Sequence, residues 1–172
     1  MKIKYLNIVF ILFTSVITVA QDFKGIPTGN ENPETQNLEI EKEVLFLINN
    51  IRIKHKLKPL AWQEDLARAA RYHAQDMAYD NYMEHASFDR KNKSLVKVCG
   101  TFNRIEKFIE MDYLAENISA GRSTAQATVE GWMKSKSHRE NILNPNFKYL
   151  GVGYAYKENT VYTHYWVQDF GG

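Results

Sequence analysis

The chain has 172 residues, and its 22 Lys and Arg stand against 20 Asp and Glu for a formal net charge of +2. A balance this even gives the chain as a whole no pull toward nucleic acid or an anionic membrane surface. Its one cysteine, Cys99, excludes an intrachain disulfide, so packing must hold the fold.

Residues 1–20 carry Lys2 and Lys4, then the apolar run Ile8 to Val19, and close on Thr18-Val19-Ala20. A basic end, an apolar centre and a small-residue cleavage site describe a secretory signal peptide. The run is short for a bilayer span, which takes about 20 apolar residues. Cleavage after Ala20 removes two lysines and no acid, and takes the charge from +2 to zero. The expected product is a soluble protein outside the cytoplasm, periplasmic or extracellular, with no stable membrane anchor and no nucleic-acid partner. Residues 21–38, rich in Gly, Pro, Asn, Thr and Gln, read as a flexible leader, which leaves residues 39–172 as a single domain.

From Glu39 to Lys56, Val44, Leu45, Ile48 and Ile51 recur at helical spacing and predict an amphipathic first helix. Lys58-Pro59-Leu60 breaks it. A second helix is expected from Gln63 to Asp80, with Leu66, Ala70, His73 and Met77 on one stripe, which makes His73 a hydrogen-bonded core residue. The chain then turns through Met83-Glu84-His85-Ala86-Ser87, and Arg90, Lys91, Lys93 and Lys97 read as a solvated face. Broken helix is expected from Leu95 to Met111, with Cys99 a partly buried thiol in a connecting segment and not a nucleophile. Tyr113 to Ile118 reads as a short strand.

Ser123-Thr124-Ala125-Gln126 has the form of a capping box and starts a third helix at Thr124, with Ala125, Val129, Trp132 and Met133 as its buried stripe. Ser137-His138-Arg139-Glu140 repeats the box, which puts His138 in the first turn of a short helix ending before Asn144-Pro145. There the positive end of the helix dipole disfavours the imidazolium and keeps His138 neutral. A final hairpin alternates Leu150, Val152, Tyr154 and Tyr156 with Gly151, Gly153 and Ala155, so one face is bare enough for a helix to pack on the backbone. Neither side of its last strand is purely polar. The order of elements suggests a three-layer alpha-beta-alpha sandwich, an α/β fold with a small, mostly antiparallel sheet between helices.

Ala115 to Gly121 and Ser135 to Leu143 read as two walls of one pocket, and Met83 to Ser87 as a third. His85, Glu116 and His138 would then converge. Glu84-His85-Ala86-Ser87, Ala115-Glu116-Asn117-Ile118, Gly131-Trp132-Met133, Ser137 to Phe147, Leu150-Gly151-Val152-Gly153 and Tyr165 to Gly171 occur in an order that resembles the CAP superfamily. That superfamily joins cysteine-rich secretory, antigen 5 and pathogenesis-related proteins through a common SCP domain, and the resemblance is to its compact bacterial branch. It covers residues 40–171 and implies an alpha-beta-alpha sandwich, secretion and a central cleft.

In eukaryotic members the cleft is lined by two histidines and two glutamates and sometimes binds zinc. By motif, His85 and His138 match the histidines and Glu116 one glutamate, with Ala115 in place of a glycine. Ser135 stands where the second glutamate belongs, with Glu130 and Glu140 as nearby acids. Two imidazoles and a carboxylate with an open position suit zinc and metal-assisted hydrolysis. The same groups also suit a plain polar cluster, in which Glu116 accepts hydrogen bonds and His138 fastens its helix. Ser87, Ser119, Ser135 and Ser137 lie near the histidines in sequence, but none sits in a nucleophile elbow, and an enzyme label exceeds what these residues carry. Three functions stay open: a binding module for a small or lipid-like ligand, with an apolar groove beside His85 and His138; a metal-dependent hydrolase or protease; and a ligand-free interaction domain.

Overall fold

The computed structural model describes residues 23–172, so the expected export segment, residues 1–20, lies outside the described residues. Helix α1 (Leu38–Lys54) starts where the Asn37 side chain accepts from the Ile40 amide, with Glu39 and Glu41 in its first turn and Arg52 and Lys54 in its last, matching the helix dipole. A two-residue strand, β1 (Ala61–Trp62), follows in the stretch expected only to break the helix. Helix α2 (Glu64–Asp80) spans the expected residues. Gln63 caps it, and it ends on Asn81 in the left-handed region, φ 53°.

Strands β2 (Ser87–Lys91) and β3 (Ser94–Cys99) form a separate antiparallel hairpin. This corrects the expected broken helix, which survives only as α3 (Thr101–Phe108). The β-branched Val96 and Val98 suit a strand, and Asn92, at φ 59°, makes the tight turn that joins the strands. Strand β4 (Leu114–Ala120) precedes α4 (Ala125–Lys134) and α5 (Lys136–Ile142), and β5 (Tyr149–Tyr156) and β6 (His164–Gly171) complete the fold. Thr124 caps α4 by accepting from the Ala127 amide. At α5 the cap position belongs to Ser135, not Ser137, so the second capping box is not formed.

The main sheet runs β1-β5-β6-β4, with β1 parallel to β5 and the other pairs antiparallel. On one face Leu150, Val152, Trp166 and Phe170 pack with Val44 and Ile48 of α1, Val129 and Trp132 of α4 and Ile142 of α5. On the other, Ala155, Tyr165, Val167 and Ile118 pack with Ala70, Ala74 and Met77 of α2. The expected sandwich is therefore present, and its layers are set by the period-two pattern of β5 and β6.

Helix α2 lies unusually close to the sheet because both partners are small at the contact. A Cβ on Gly151 would come within 2.1 Å of the Ala67 nitrogen, and one on Gly153 within 2.2 Å of the Ala70 carbonyl carbon. Ala67, Ala69, Ala70, Ala74 and Ala78 of this helix are all buried.

The segment expected as a flexible leader is, from Phe23 on, laid against α2. Phe23 packs edge-on to Tyr72, Arg68 donates to the carbonyls of Gly29 and Glu31, and Gln75 donates to that of Glu34. Polar composition suggests a free linker. These bonds use its backbone carbonyls, which composition does not reveal.

Candidate functional site

The histidine-glutamate cluster wraps around the free edge of the main sheet. Strand β4 is that edge, and its alternation sends Glu116 toward the α2–α3 layer and Asn117 toward α5. His85 lies on the Glu116 side, with its Nδ1 2.8 Å from Glu116 Oε1. His138 hangs on the other side. The Asn117 amide donates to the His138 carbonyl at 3.2 Å, and Asn141, one turn on, donates to Asn117 Oδ1 at 2.9 Å. His85 and Glu116 are thus in direct contact, while His138 approaches from the opposite layer, close enough to feel the charge of His85.

The sequence pattern does not reveal the centre of this cluster. Arg104 of α3 is fully buried, and its Nη2 donates to Glu116 Oε2. Its Nη1 reaches the His85 carbonyl at 2.9 Å and Ser87 Oγ at 3.2 Å. One guanidinium therefore fixes both the acid and the backbone of the first histidine. Burial works to raise the Glu116 pKa, but the charges of Arg104 and His73 and the contact with His85 outweigh it and hold the carboxyl at about 2.

Asp169 is the second residue that sequence reasoning misses. It faces Glu116 directly across the β4–β6 ladder, is fully buried, and neither of its carboxyl oxygens has a hydrogen-bond partner. Burial and the neighbouring Glu116 charge, against the pull of Arg104, push it well above the usual carboxylate range and favour its neutral form beside Glu116. A carboxyl raised in the folded state stabilises below its unfolded pKa, and that contribution is lost as pH rises toward the folded value. Asp169→Asn removes this loss. Its expected effect in urea melts is a higher stability at pH 7 and a flatter stability profile above the usual carboxylate range. A profile that keeps the wild-type slope would mean that Asp169 is not its source.

His138 is half-buried, and burial, then the charges of His85 and Arg122, lowers its pKa. The expected neutral form is therefore favoured, with desolvation as the leading cause in place of the helix terminus. His73 is the hydrogen-bonded core residue expected, fully buried with Nε2 2.9 Å from the Glu84 carbonyl. Cys99 is buried, and burial pushes its thiol up, which suits an inert side chain. Ser135 sits between α4 and α5 with its Oγ 3.3 Å from that of Ser137. Glu130 and Glu140 are exposed; Glu130 accepts from Gln126, and Glu140 lies 3.9 Å from Lys136.

This donor set does not fit the three-residue zinc site of His85, Glu116 and His138. Both Glu116 oxygens are engaged, one by His85 and one by Arg104, and a dication there would be brought against a buried guanidinium. Among the described residues, no group of three or more His, Cys, Asp or Glu side chains is placed to hold a metal ion.

A second concavity lies between α1 and α4, with a volume of about 490 Å³. Leu47 and Ile51 form one wall and Val129 and Met133 the other, while Lys54 and His55 stand at one end. Neither His85 nor His138 lines this concavity.

Residues 45–170 match the family described as Cysteine-rich secretory protein family, CAP. The chain belongs to the CAP family. It is 38% identical over 133 residues to the uncharacterized protein YkwD of Bacillus subtilis (strain 168), covering 77% of this chain and 47% of that one. The chain spans less than half the length of the curated relatives it matches. Among solved structures, an extracellular protein containing a SCP domain from Bacillus anthracis str. Ames superposes with a TM-score of 0.65 at 30% identity, covering 81% of this chain and 44% of that one. An outer surface protein of Borrelia burgdorferi gives a TM-score of 0.68 at 19% identity, covering 81% of this chain and 98% of that one, which shows the shared fold. Among the described residues of this CAP domain, no helix is long and apolar enough to cross a membrane.

Proposed function

We propose that this CAP domain is an exported binding module for an amphiphile with one apolar chain, seated between α1 and α4. The groove carries this reading: its volume falls in the usual range for small-molecule sites, about 300–1,000 Å³, and Leu47, Ile51, Val129 and Met133 give it an aliphatic strip beside the polar Asn50, Gln126 and Glu130. Lys54 and His55 at one end suit an acidic headgroup. Export rests on the composition of residues 1–20 and on the extracellular description of the Bacillus anthracis relative.

The histidine-glutamate cluster serves, in this reading, as a buttress joining the two helical layers at the sheet edge. A hydrolase would need Glu116 as metal ligand or base, and Arg104 already neutralises it. An interaction domain without a ligand leaves the aliphatic groove unexplained.

Displacement of a fluorescent fatty acid from the purified protein tests the assignment. Wild type is expected to bind it saturably. Leu47→Asp and Met133→Trp are expected to weaken binding at least about tenfold, or 1.4 kcal/mol, while His85→Ala leaves it unchanged. Loss of binding in His85→Ala with the groove variants intact would move the ligand to the sheet edge and sink the groove.

A further inference from the structure

We propose that the β2–β3 hairpin is a docking blade for an anionic lipid bilayer. Its base is built into the domain: Ser87 and Cys99 are buried, and Phe88 packs against Tyr82 and the α2-side core. Its outer half is bare, since every residue from Arg90 to Lys97 is exposed.

Two features of that outer half occur together. The stretch from Arg90 to Val98 holds four cations and no acid, and Arg90 is spent on Asp80, whose carbonyl and carboxylate it engages through its side chain and amide. Lys91, Lys93 and Lys97 are left facing water. Between them Leu95 and Val96 are 37% and 39% exposed, an unusual place for adjacent aliphatic side chains. A merely solvated hairpin has no use for them, whereas a bilayer interface takes aliphatic side chains into its headgroup layer and pairs lysines with lipid phosphates.

The patch extends beyond the hairpin. The Gly25 amide donates to Asp89 Oδ1 at 2.8 Å, which occupies the one acid of β2 and seats Lys24 and Ile26 alongside. Ile26 is 57% exposed. A fourth lysine and another aliphatic side chain thus join the Val96 face of the hairpin, while Leu95 lies on the opposite face beside Arg90, so the blade presents aliphatic side chains on both sides. The even charge of the whole chain hides this segregation. A soluble polyanion would satisfy the lysines alone, and Ile26, Leu95 and Val96 favour the bilayer.

Co-sedimentation tests it, with the protein purified after export and its N terminus read by mass spectrometry. Vesicles of phosphatidylcholine, with and without phosphatidylglycerol, are the probe. Binding is expected only with phosphatidylglycerol and is expected to weaken as salt rises. Each lysine near an anionic surface is worth about fivefold in partitioning, so Lys91→Gln/Lys93→Gln/Lys97→Gln together should cost roughly 100-fold. Leu95→Ser/Val96→Ser should weaken vesicle binding while leaving any binding to soluble polyphosphate unchanged. All five positions are exposed, so both variants are expected to melt like wild type. Equal sedimentation with both vesicle types, or lysine variants that bind like wild type, would overturn the proposal. Polyphosphate binding without vesicle binding would replace the bilayer with a soluble polyanion.

Discussion

Arg104→Met is expected to destabilise the domain by about 3–5 kcal/mol, because it leaves Glu116 ionised, buried and without its cation. The methionine fills most of the volume, so the cost reports charge and hydrogen bonding more than a cavity. Glu116 also sets a pH signature. Its folded pKa of about 2 lies below the unfolded value near 4.5, so its contribution is fully present above pH 4.5 and is lost as pH falls through the folded value. In urea melts, the wild type should weaken over that acid window, and Arg104→Met should show a smaller dependence. The double variant Arg104→Met/Glu116→Gln separates the terms. It removes the stranded charge while the carboxamide oxygen introduced there can still accept from His85, so it should be more stable than Arg104→Met alone. A double variant as weak as the sum of the two single ones would show that the pair is not coupled.

Arg52→Met is expected to cost about 4 kcal/mol, since each buried acceptor left unpaired costs about 1–3 kcal/mol. Arg52 is 1% exposed and meets only carbonyls: Lys58 at 2.9 Å, Ile142 at 2.8 Å, Asn144 at 2.9 Å and Phe147 at 3.3 Å. It thereby ties the end of α1 to the end of α5 and to the loop leading into β5. Lysine has no planar fork, so Arg52→Lys is expected to recover only part of the loss. Amide exchange across residues 143–148 should accelerate in both variants before the rest of the domain opens. Uniform acceleration throughout would mean that Arg52 does not hold that loop locally.

These two arginines also show where the sequence is legible. The layers can be read because β5 carries its pattern openly, with Gly151, Gly153 and Ala155 on the face that meets α2. Short motifs point to His85, Glu116 and His138, and the contact between His85 and Glu116 is present. Nothing local points to Arg104 or Asp169. Arg104 lies in a stretch that reads as broken helix, and its partner is on a different element; Asp169 looks like one more polar residue on an alternating strand until β4 places Glu116 opposite it. Arg52 lies one turn beyond Ile48 on the buried stripe of α1, but nothing local shows which carbonyls it meets there. Local pattern fixes which face a residue takes, but not which distant carbonyl or carboxylate waits there. The β2–β3 hairpin escapes for a simpler reason, as its turn uses Asn92-Lys93 without the glycine that usually marks one.

The close seating of α2 on Gly151 and Gly153 has a consequence for how the chain reaches its fold. The helix forms early in the sequence, but its partner strands come only after most of the remaining chain. Its alanine-rich stripe therefore has nothing to bury against until β5 and β6 arrive, and the contact that closes the core is among the longest-range in the molecule. Chains dominated by such contacts fold slowly, because a large loop must close before burial rewards it. The core therefore cannot lock until the last strand, β6, is in place.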